Sequence, residues 1–299
     1  MIKNIAKKLL DYAGLEIRSK KPDVNRSLYL NLFGKESVEK RRFYNICAGG
    51  HLGFGGMFDH PFWTNIDLDK PWPGGREFNP ETDVAHDLLS LQPIPLETGS
   101  AELVYSRFSV EHVNDEAAQI MFNEIFRALK KGGVFRVVSP NIDLDYRAYL
   151  RGDLSYFIWR EMFSTKSIQE HLRYKIPLNQ ASIHQVFLSH FASNVSTIHN
   201  DGASERISDE QFQELLRTMP FEDALDYCAS RCSIEKQRIY PQNHINWWNQ
   251  QKFERMLRKA GFKNVYTTCP HQSVSPAMRR RGFDDLWNEV AIYMETIRD

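Results

Sequence analysis

Residues 115–140 constrain the fold most, because they place an amphipathic helix directly before a β-branched strand. In DEAAQIMFNEIFRALKKGG, residues 115–133, apolar side chains recur at helical spacing from Ile120 to Leu129. Acidic residues at its start and lysines near its end suit the helix dipole, and Gly132 and Gly133 predict its end. The following VFRVVSP, residues 134–140, predicts a strand that the proline stops.

Short apolar runs before and after this unit predict the remaining strands. The runs cover residues 43–50, 63–69, 83–88 and 101–110, and two more lie at 263–269 and 288–297. An amphipathic segment at 249–262 predicts a further helix. Strands that alternate with helices predict an α/β fold with a doubly wound, mostly parallel sheet. The connections between the second, third and fourth strands are short for full crossover helices.

Composition and charge exclude several classes of protein. The 299 residues hold 38 basic and 38 acidic side chains, so the basic excess of a nucleic-acid-binding protein is missing. Residues 1–21 predict an amphipathic helix packed on the domain, with a membrane-surface helix as the alternative. Since no apolar run is long enough for a transmembrane segment or a signal peptide, we expect a cytoplasmic protein. The four cysteines are expected to be reduced thiols, and no metal site is predicted.

Polar and glycine residues follow the first three predicted strands. The glycine-rich CAGGHLGFGG, beginning at Cys47, lets a ligand approach the backbone closely, although a structural turn is the default interpretation. Asp67 ends the second strand, where a carboxylate can accept hydrogen bonds from both ribose hydroxyls. Asp87 ends the third strand, where it can accept from an adenine amino group. The alternatives are that Asp67 or Asp69 caps a turn and that Asp87 caps a helix.

The ordered series NICAGG, TNIDLD, DVAHDLLSL, AELVYSRFSVEHV and EIFRALKKGGVFRVVSPN resembles the class I S-adenosylmethionine-dependent methyltransferases, especially the type 11 small-molecule group. The resemblance covers residues 43–141 closely, and HINWWNQQKFERMLRKAGFKNV resembles a later helix of that family. It implies a Rossmann-like methyltransferase fold with S-adenosylmethionine as cofactor. By this resemblance, Ala48, Gly49 and Gly50 would face the methionine part of the cofactor.

The same resemblance assigns further roles around the cofactor. Asp67 would hold the ribose and Asp87 the adenine, while Ser106 and Phe108 would lie near the sulfonium. The chain departs from the family at Cys47, where glycine is usual. This departure leaves open a methyltransferase-like module that binds without catalysis. A Rossmann dehydrogenase would need GxGxxG, which is absent.

His112 is the candidate catalytic residue, because it follows the fourth strand near the expected methyl group. An imidazole there can remove the proton of a hydroxyl acceptor, although Glu111 and His112 orienting a loop is equally favoured. SRFS replaces the Asp/Asn-Pro-Pro-aromatic motif of enzymes that methylate exocyclic or amide nitrogens. We therefore expect a small-molecule acceptor, with oxygen ahead of nitrogen and no nucleic acid. The sequence carries no signal for the oligomeric state.

The chain divides into four predicted regions. Residues 1–42 form a helical extension, 43–141 the cofactor-binding half, 142–240 a largely helical insertion, and 241–299 the end of the methyltransferase domain. The insertion is expected to cover the carboxyl edge of the sheet and to bind the acceptor. Its aromatic and histidine side chains, with those of HINWW, are candidates for that pocket or for simple packing: His184, His190, His199, His244, Trp247 and Trp248.

Overall fold

The computed structural model describes residues 26–47, 62–70, 77–157, 173–280, 282–285 and 287–299. The helix predicted over residues 1–21 and the candidate residues Ala48, Gly49 and Gly50 lie outside these ranges. None of the described helices combines the length and hydrophobicity needed to cross a lipid bilayer.

Seven strands form one sheet in the order β3-β2-β1-β4-β5-β7-β6. All neighbours pair in parallel except β7, which runs antiparallel to both β5 and β6. This arrangement confirms the predicted doubly wound, mostly parallel Rossmann-like fold. The strands are β1 (Phe43–Ile46), β2 (Trp63–Asp67), β3 (Asp83–Ala85), β4 (Ala101–Arg107), β5 (Leu129–Pro140), β6 (Asn264–Thr268) and β7 (Ala291–Ile297).

Nine helices are described around this sheet. They are α1 (Arg26–Glu39), α2 (Asp115–Ala128), α3 (Ile142–Leu150), α4 (Leu154–Phe157), α5 (Ile183–Phe191), α6 (Asp209–Thr218), α7 (Phe221–Ser230), α8 (Ile234–Ile239) and α9 (Gln250–Lys259). The short β3–β4 connection holds only a 3₁₀ turn, Leu88–Ser90, over residues 86–100. That length accounts for the missing crossover helix.

The helix end predicted at Gly132 and Gly133 is wrong. The helix α2 ends at Ala128, and β5 begins at Leu129, so both glycines lie within the strand. Gly132 adopts a left-handed φ of 79°, and Ala101 pairs with Leu129 before the register shifts. The glycines therefore permit an irregular start to the strand, because glycine accepts a conformation that other residues resist.

Apolar side chains bury both faces of the sheet. On one face, Met121, Phe122 and Ile125 of α2 pack with α9 against the central strands. On the other face, the segment between β6 and β7 covers a buried ionic network. Arg136, from the middle of β5, binds Asp284 at 2.7 Å and Glu295 at 3.3 Å, and all three side chains are fully buried. Such a charge is tolerated in the interior only when it is paired.

The described residues between β5 and α9 are mostly helical and form a hydrophobic cluster of their own. The helix α6 carries a capping box, in which the Ser208 hydroxyl and the Gln211 side chain each bond to the other's backbone N–H. The first helix, α3, begins directly after β5 and is capped by Asn141. The insertion thus starts at the carboxyl edge of the sheet. Its boundaries at 142 and 240 stay a prediction.

Candidate functional site at the carboxyl edge of the sheet

Asp67 and Cys47 lie together at the ends of β2 and β1. The Cys47 N–H donates to the Ile66 carbonyl at 2.8 Å, and Cys47 itself adopts a left-handed φ of 55°. Burial, and then the Asp67 charge, raises the pKa of the Cys47 thiol. The Asp67 carboxylate accepts the N–H of Leu68 at 2.8 Å. Asp67 therefore caps the turn after β2 while standing where a ribose would bind in such a fold.

Asp87 lies two residues beyond β3 and caps the following 3₁₀ turn. Its Oδ1 accepts the Leu89 N–H at 2.9 Å, and its Oδ2 is 3.7 Å from Nε of Arg238 in the insertion. The capping alternative therefore describes what Asp87 does in the structure. The second oxygen points toward an exposed guanidinium, and the adenine role stays a prediction.

Ser106 is fully buried at the end of β4, between Ile46 of β1 and Val137 of β5. Its hydroxyl has no hydrogen-bond partner among the described residues. Buried hydroxyls are normally hydrogen-bonded, so the described residues leave the bonding capacity of this hydroxyl unused. Phe108 follows in a left-handed conformation with a φ of 51°. The position fits a group that binds at the centre of this edge.

Glu111 and His112 form a 3₁₀ turn, Val110–His112, just beyond β4. The hydroxyl of Ser109 donates to the Ile46 carbonyl at 3.2 Å and ties this turn to the end of β1. Glu111 is only 2% exposed, and burial raises its pKa to about 8. Its Oε2 accepts the Ser139 hydroxyl at 3.2 Å, whereas Oε1 has no partner among the described residues.

The His112 ring is held by the segment that returns from the insertion. Its Nδ1 lies 2.9 Å from the carbonyl of Asn243, and burial lowers its pKa. His244 lies beside it, with ring centroids 4.9 Å apart and its own Nδ1 2.7 Å from the His190 carbonyl. Burial lowers the pKa of His244 strongly. The Ile245 N–H donates to the Glu111 carbonyl at 2.8 Å, which fixes this segment against the turn.

A narrow cavity adjoins this cluster on the side of the insertion. Glu111, Ser139, Asp145 and His190 contribute its polar lining, and Trp248 contributes apolar lining. His190 Nδ1 lies 3.3 Å from Asp145, whose other oxygen accepts the hydroxyl of a tyrosine on α4. The structure therefore places one insertion histidine beside Glu111.

The other candidate pocket residues have different surroundings. His184 bonds to Tyr149 and Gln213 within the insertion, and His199 is buried against Tyr174. Trp247 lines the cavity, but its N–H donates to an aspartate on α7, and Trp248 stacks on Phe253. Contacts within the protein therefore account for the position of His184 and for most of the surroundings of Trp247 and Trp248. Glu111 was missed as a functional residue, because its burial became visible only in the folded chain.

Residues 71–137 match the family model described as a methyltransferase domain, Methyltransf_11. No curated protein matches the chain. The matched stretch begins four residues beyond the end of β2 and runs through β3, β4 and α2 into β5. It confirms the resemblance to the class I S-adenosylmethionine-dependent methyltransferases over those residues.

Solved structures similar to the chain include two that are described as methyltransferases, one of them as a possible one, and one that is described as a complex with SAH. A possible histamine N-methyltransferase from Thermotoga maritima is 11% identical, with 86% of this chain and 82% of that one covered and a TM-score of 0.35. An S-adenosylmethionine-dependent methyltransferase from Mesorhizobium loti is 14% identical, with 86% and 90% covered and a TM-score of 0.36. PigF with SAH is 11% identical, with 86% and 56% covered and a TM-score of 0.35. The chain spans about half the length of PigF, of which it covers 56%. It also covers 54% of SibL, another similar structure, which is described as an S-adenosylmethionine-dependent methyltransferase.

Proposed function

We propose that the chain transfers a methyl group from S-adenosylmethionine to a hydroxyl of a small molecule. The observation that carries the proposal is the placement of Asp67 and the Ser106 hydroxyl, which has no partner among the described residues, at one sheet edge of a chain whose residues 71–137 match a methyltransferase domain. Ligands bind in the crevice outside the carboxyl ends of the strands in open α/β sheets.

The residues of this edge suit different parts of the cofactor. The Asp67 carboxylate retains acceptor capacity beyond the Leu68 N–H, because each carboxylate oxygen has two lone pairs. It would hold the ribose hydroxyls, and Asp87 would accept from the adenine amino group. Ser106 would lie near the sulfonium, and Ala48, Gly49 and Gly50 would face the methionine part. These roles follow from the family resemblance.

When bound, the cofactor would supply an electrophilic methyl group on a positively charged sulfur, which the acceptor oxygen would displace, with the electron pair of the broken carbon–sulfur bond going to sulfur. Alignment of these three atoms is the main task of the protein. A hydroxyl must also lose its proton, and we assign its activation to His112, which the carbonyl of Asn243 orients beside the end of β4.

The insertion supplies the acceptor side of the proposed site. It begins where β5 delivers the chain to the carboxyl edge, and the narrow cavity between the insertion and Glu111 joins the two. Trp248 and Phe191 line this narrow cavity together with a few polar groups. We therefore propose that residues 142–240 determine which acceptor is methylated.

A binding module without catalysis is the second candidate, and Cys47 favours it. This residue adopts a left-handed φ of 55° at a position where the family has glycine. Its side chain occupies the edge that the methionine part of the cofactor would approach. A protein of this kind would bind the cofactor without turnover.

Calorimetry with S-adenosylhomocysteine tests the first part of the proposal. We expect binding to the full chain at micromolar to low millimolar ligand, and folded protein that shows no heat at millimolar ligand would contradict it. Transfer of an isotope-labelled methyl group to a panel of small hydroxyl compounds, with amine analogues as the comparison, tests the second part. Binding with no labelled product from any compound would favour the binding module.

A further inference from the structure

Three metal-ligating side chains converge just beyond β4, although they come from distant parts of the chain. Glu111 and His112 belong to the turn Val110–His112, and His244 belongs to the segment that returns from the insertion. One ligand atom from each lies within 4.8 Å of the other two. No direct hydrogen bond joins Glu111 to either ring among the described residues. The three ligand atoms are therefore close enough together to bind one common ion.

Both rings are fixed in the tautomer that metal binding needs. Each Nδ1 faces a backbone carbonyl, that of Asn243 for His112 and that of His190 for His244. A carbonyl oxygen only accepts hydrogen bonds, so each Nδ1 carries the proton and each Nε2 carries a lone pair. Metal-ligating histidines in proteins usually donate their other N–H to a carbonyl or a carboxylate in this way.

The surroundings of the Glu111 carboxylate are a second, independent observation that points to a cation. Its side chain is 98% buried, since only 2% is exposed, and its Oε1 has no hydrogen-bond partner in the described part of the chain. No ion pair among those residues includes Glu111. A buried carboxylate without a counter-charge is costly, whereas a bound cation would compensate it. The Ser139 hydroxyl on Oε2 orients the group, as partners of metal-bound carboxylates do.

We propose that Glu111, His112 and His244 bind one divalent transition-metal ion, such as Zn²⁺. Two imidazoles and one carboxylate form the donor set of catalytic zinc sites, which keep a further position open. Imidazole ligands favour zinc, iron, copper and nickel over magnesium and calcium. Of the three ligands, Glu111 also lines the narrow cavity that includes Ser139 and His190.

The site also specifies how the acceptor is activated, and this step rests on the proposed function. A hydroxyl bound to the ion would become more acidic and would lose its proton to water, which would leave an oxygen nucleophile for the methyl group. This route would replace the proton removal by His112 given under the proposed function, because His112 would then be a metal ligand. Metal binding itself does not depend on methyl transfer.

Calorimetric titration of the chelator-treated full chain with ZnCl₂ tests the proposal. We expect one equivalent of Zn²⁺ to bind, and we expect Glu111→Gln, His112→Gln and His244→Gln each to weaken it by at least about 100-fold, since each removes one of three ligands. His184→Gln is the matched control, because that histidine bonds to Tyr149 outside the cluster. Equal affinity of the wild type and the three ligand variants, or an equal loss in the control, would overturn the proposal.

Cobalt substitution keeps the test decisive if a variant fails to fold. Wild-type protein with one equivalent of Co²⁺ should develop the visible absorption of a low-symmetry nitrogen and oxygen site, and one equivalent of Zn²⁺ should abolish it. A spectrum identical to that of free aqueous Co²⁺ would refute the site without any variant. Binding of S-adenosylhomocysteine in excess chelator separates the two proposals. We expect S-adenosylhomocysteine to bind in the presence of the chelator. This measurement tests the cofactor site, whereas the zinc and cobalt titrations test the metal site.

Discussion

Replacement of Asp67 by alanine tests the cofactor assignment most directly. The carboxylate lies at the end of β2 and accepts the N–H of Leu68 at 2.8 Å. If it also accepts the two ribose hydroxyls, the substitution removes charge-assisted hydrogen bonds worth about 1–3 kcal/mol together. The affinity for S-adenosylhomocysteine should then fall by roughly 5- to 150-fold, since about 1.4 kcal/mol is tenfold.

The assay is calorimetric titration with S-adenosylhomocysteine, accompanied by thermal unfolding of the free protein. Asp69→Ala is the matched control, because Asp69 is an exposed carboxylate two residues further along the same turn. We expect the control to bind like the wild type. The loss of the Leu68 cap should cost Asp67→Ala about 1 kcal/mol of stability, comparable to the loss of other side-chain caps.

The pattern of results separates the two roles of Asp67. Weaker binding with a small change in unfolding temperature supports contact with the ribose. Unchanged affinity together with a large loss of stability would refute it, and Asp67 would then be a structural cap. Equal losses of affinity in Asp67→Ala and Asp69→Ala would point instead to a general effect of negative charge near the site.

Three further predictions concern the stability and chemistry of the fold. Arg136→Met should lower the free energy of unfolding by about 3–5 kcal/mol in urea titrations, because it leaves two fully buried carboxylates without their cation; a loss below about 1 kcal/mol would contradict this. Ser208→Ala should cost about 1 kcal/mol through the lost capping box, measured in the same way, and no loss would show that the cap is dispensable. Iodoacetamide at pH 8 should label the exposed Cys269 first and Cys228 and Cys232 only in urea, because burial raises the pKa of both to about 12. Because thiols in the unfolded chain have a pKa of about 8.5, Cys228 and Cys232 also destabilise the folded state progressively as the pH rises from about 8.5 toward 12. Prompt labelling of Cys269, Cys228 and Cys232 alike in the native protein would contradict the burial of the last two.

Local patterns in the sequence were sufficient to locate the elements of the sheet. FYNI, WTNID and the β-branched run after Gly133 each concentrate buried side chains in a few residues, and all three form strands as predicted. The helix end near Gly132 was wrong for a physical reason. Glycine both ends helices and permits irregular strands, and only the pairing of Leu129 with Ala101 decides between the two.

The buried ionic network shows what local patterns leave out. VFRVVSP predicts a strand, but nothing in it indicates that Arg136 is buried rather than at the surface. Its partners Asp284 and Glu295 lie 148 and 159 residues further along the chain. Burial of an arginine depends on such distant carboxylates, so the single strand cannot reveal it.

The candidate site also contains residues that local patterns indicate and residues that they do not. Asp67 and Asp87 could be named as candidates because Asp67 ends β2 and Asp87 follows β3 by two residues, and their roles stay predictions. The cluster around Glu111 could not, since His112 meets its carbonyl partner Asn243 across 131 residues. The prediction that the chain has no metal site rested on cysteine spacing, and it remains untested. The proposed site uses no cysteine.

The position of the insertion links acceptor choice to the chemistry at Glu111. The first helix of the insertion donates the Ile142 N–H to the Trp248 carbonyl at 3.0 Å, and the returning segment donates the Ile245 N–H to the Glu111 carbonyl. One continuous return segment therefore contacts both the insertion and the turn after β4. Any repacking of the insertion that shifts this segment also moves His244 relative to Glu111. If the insertion determines the acceptor as we propose, a change of specificity made through it must keep the HINWW backbone in place, because the proposed activating groups depend on that segment.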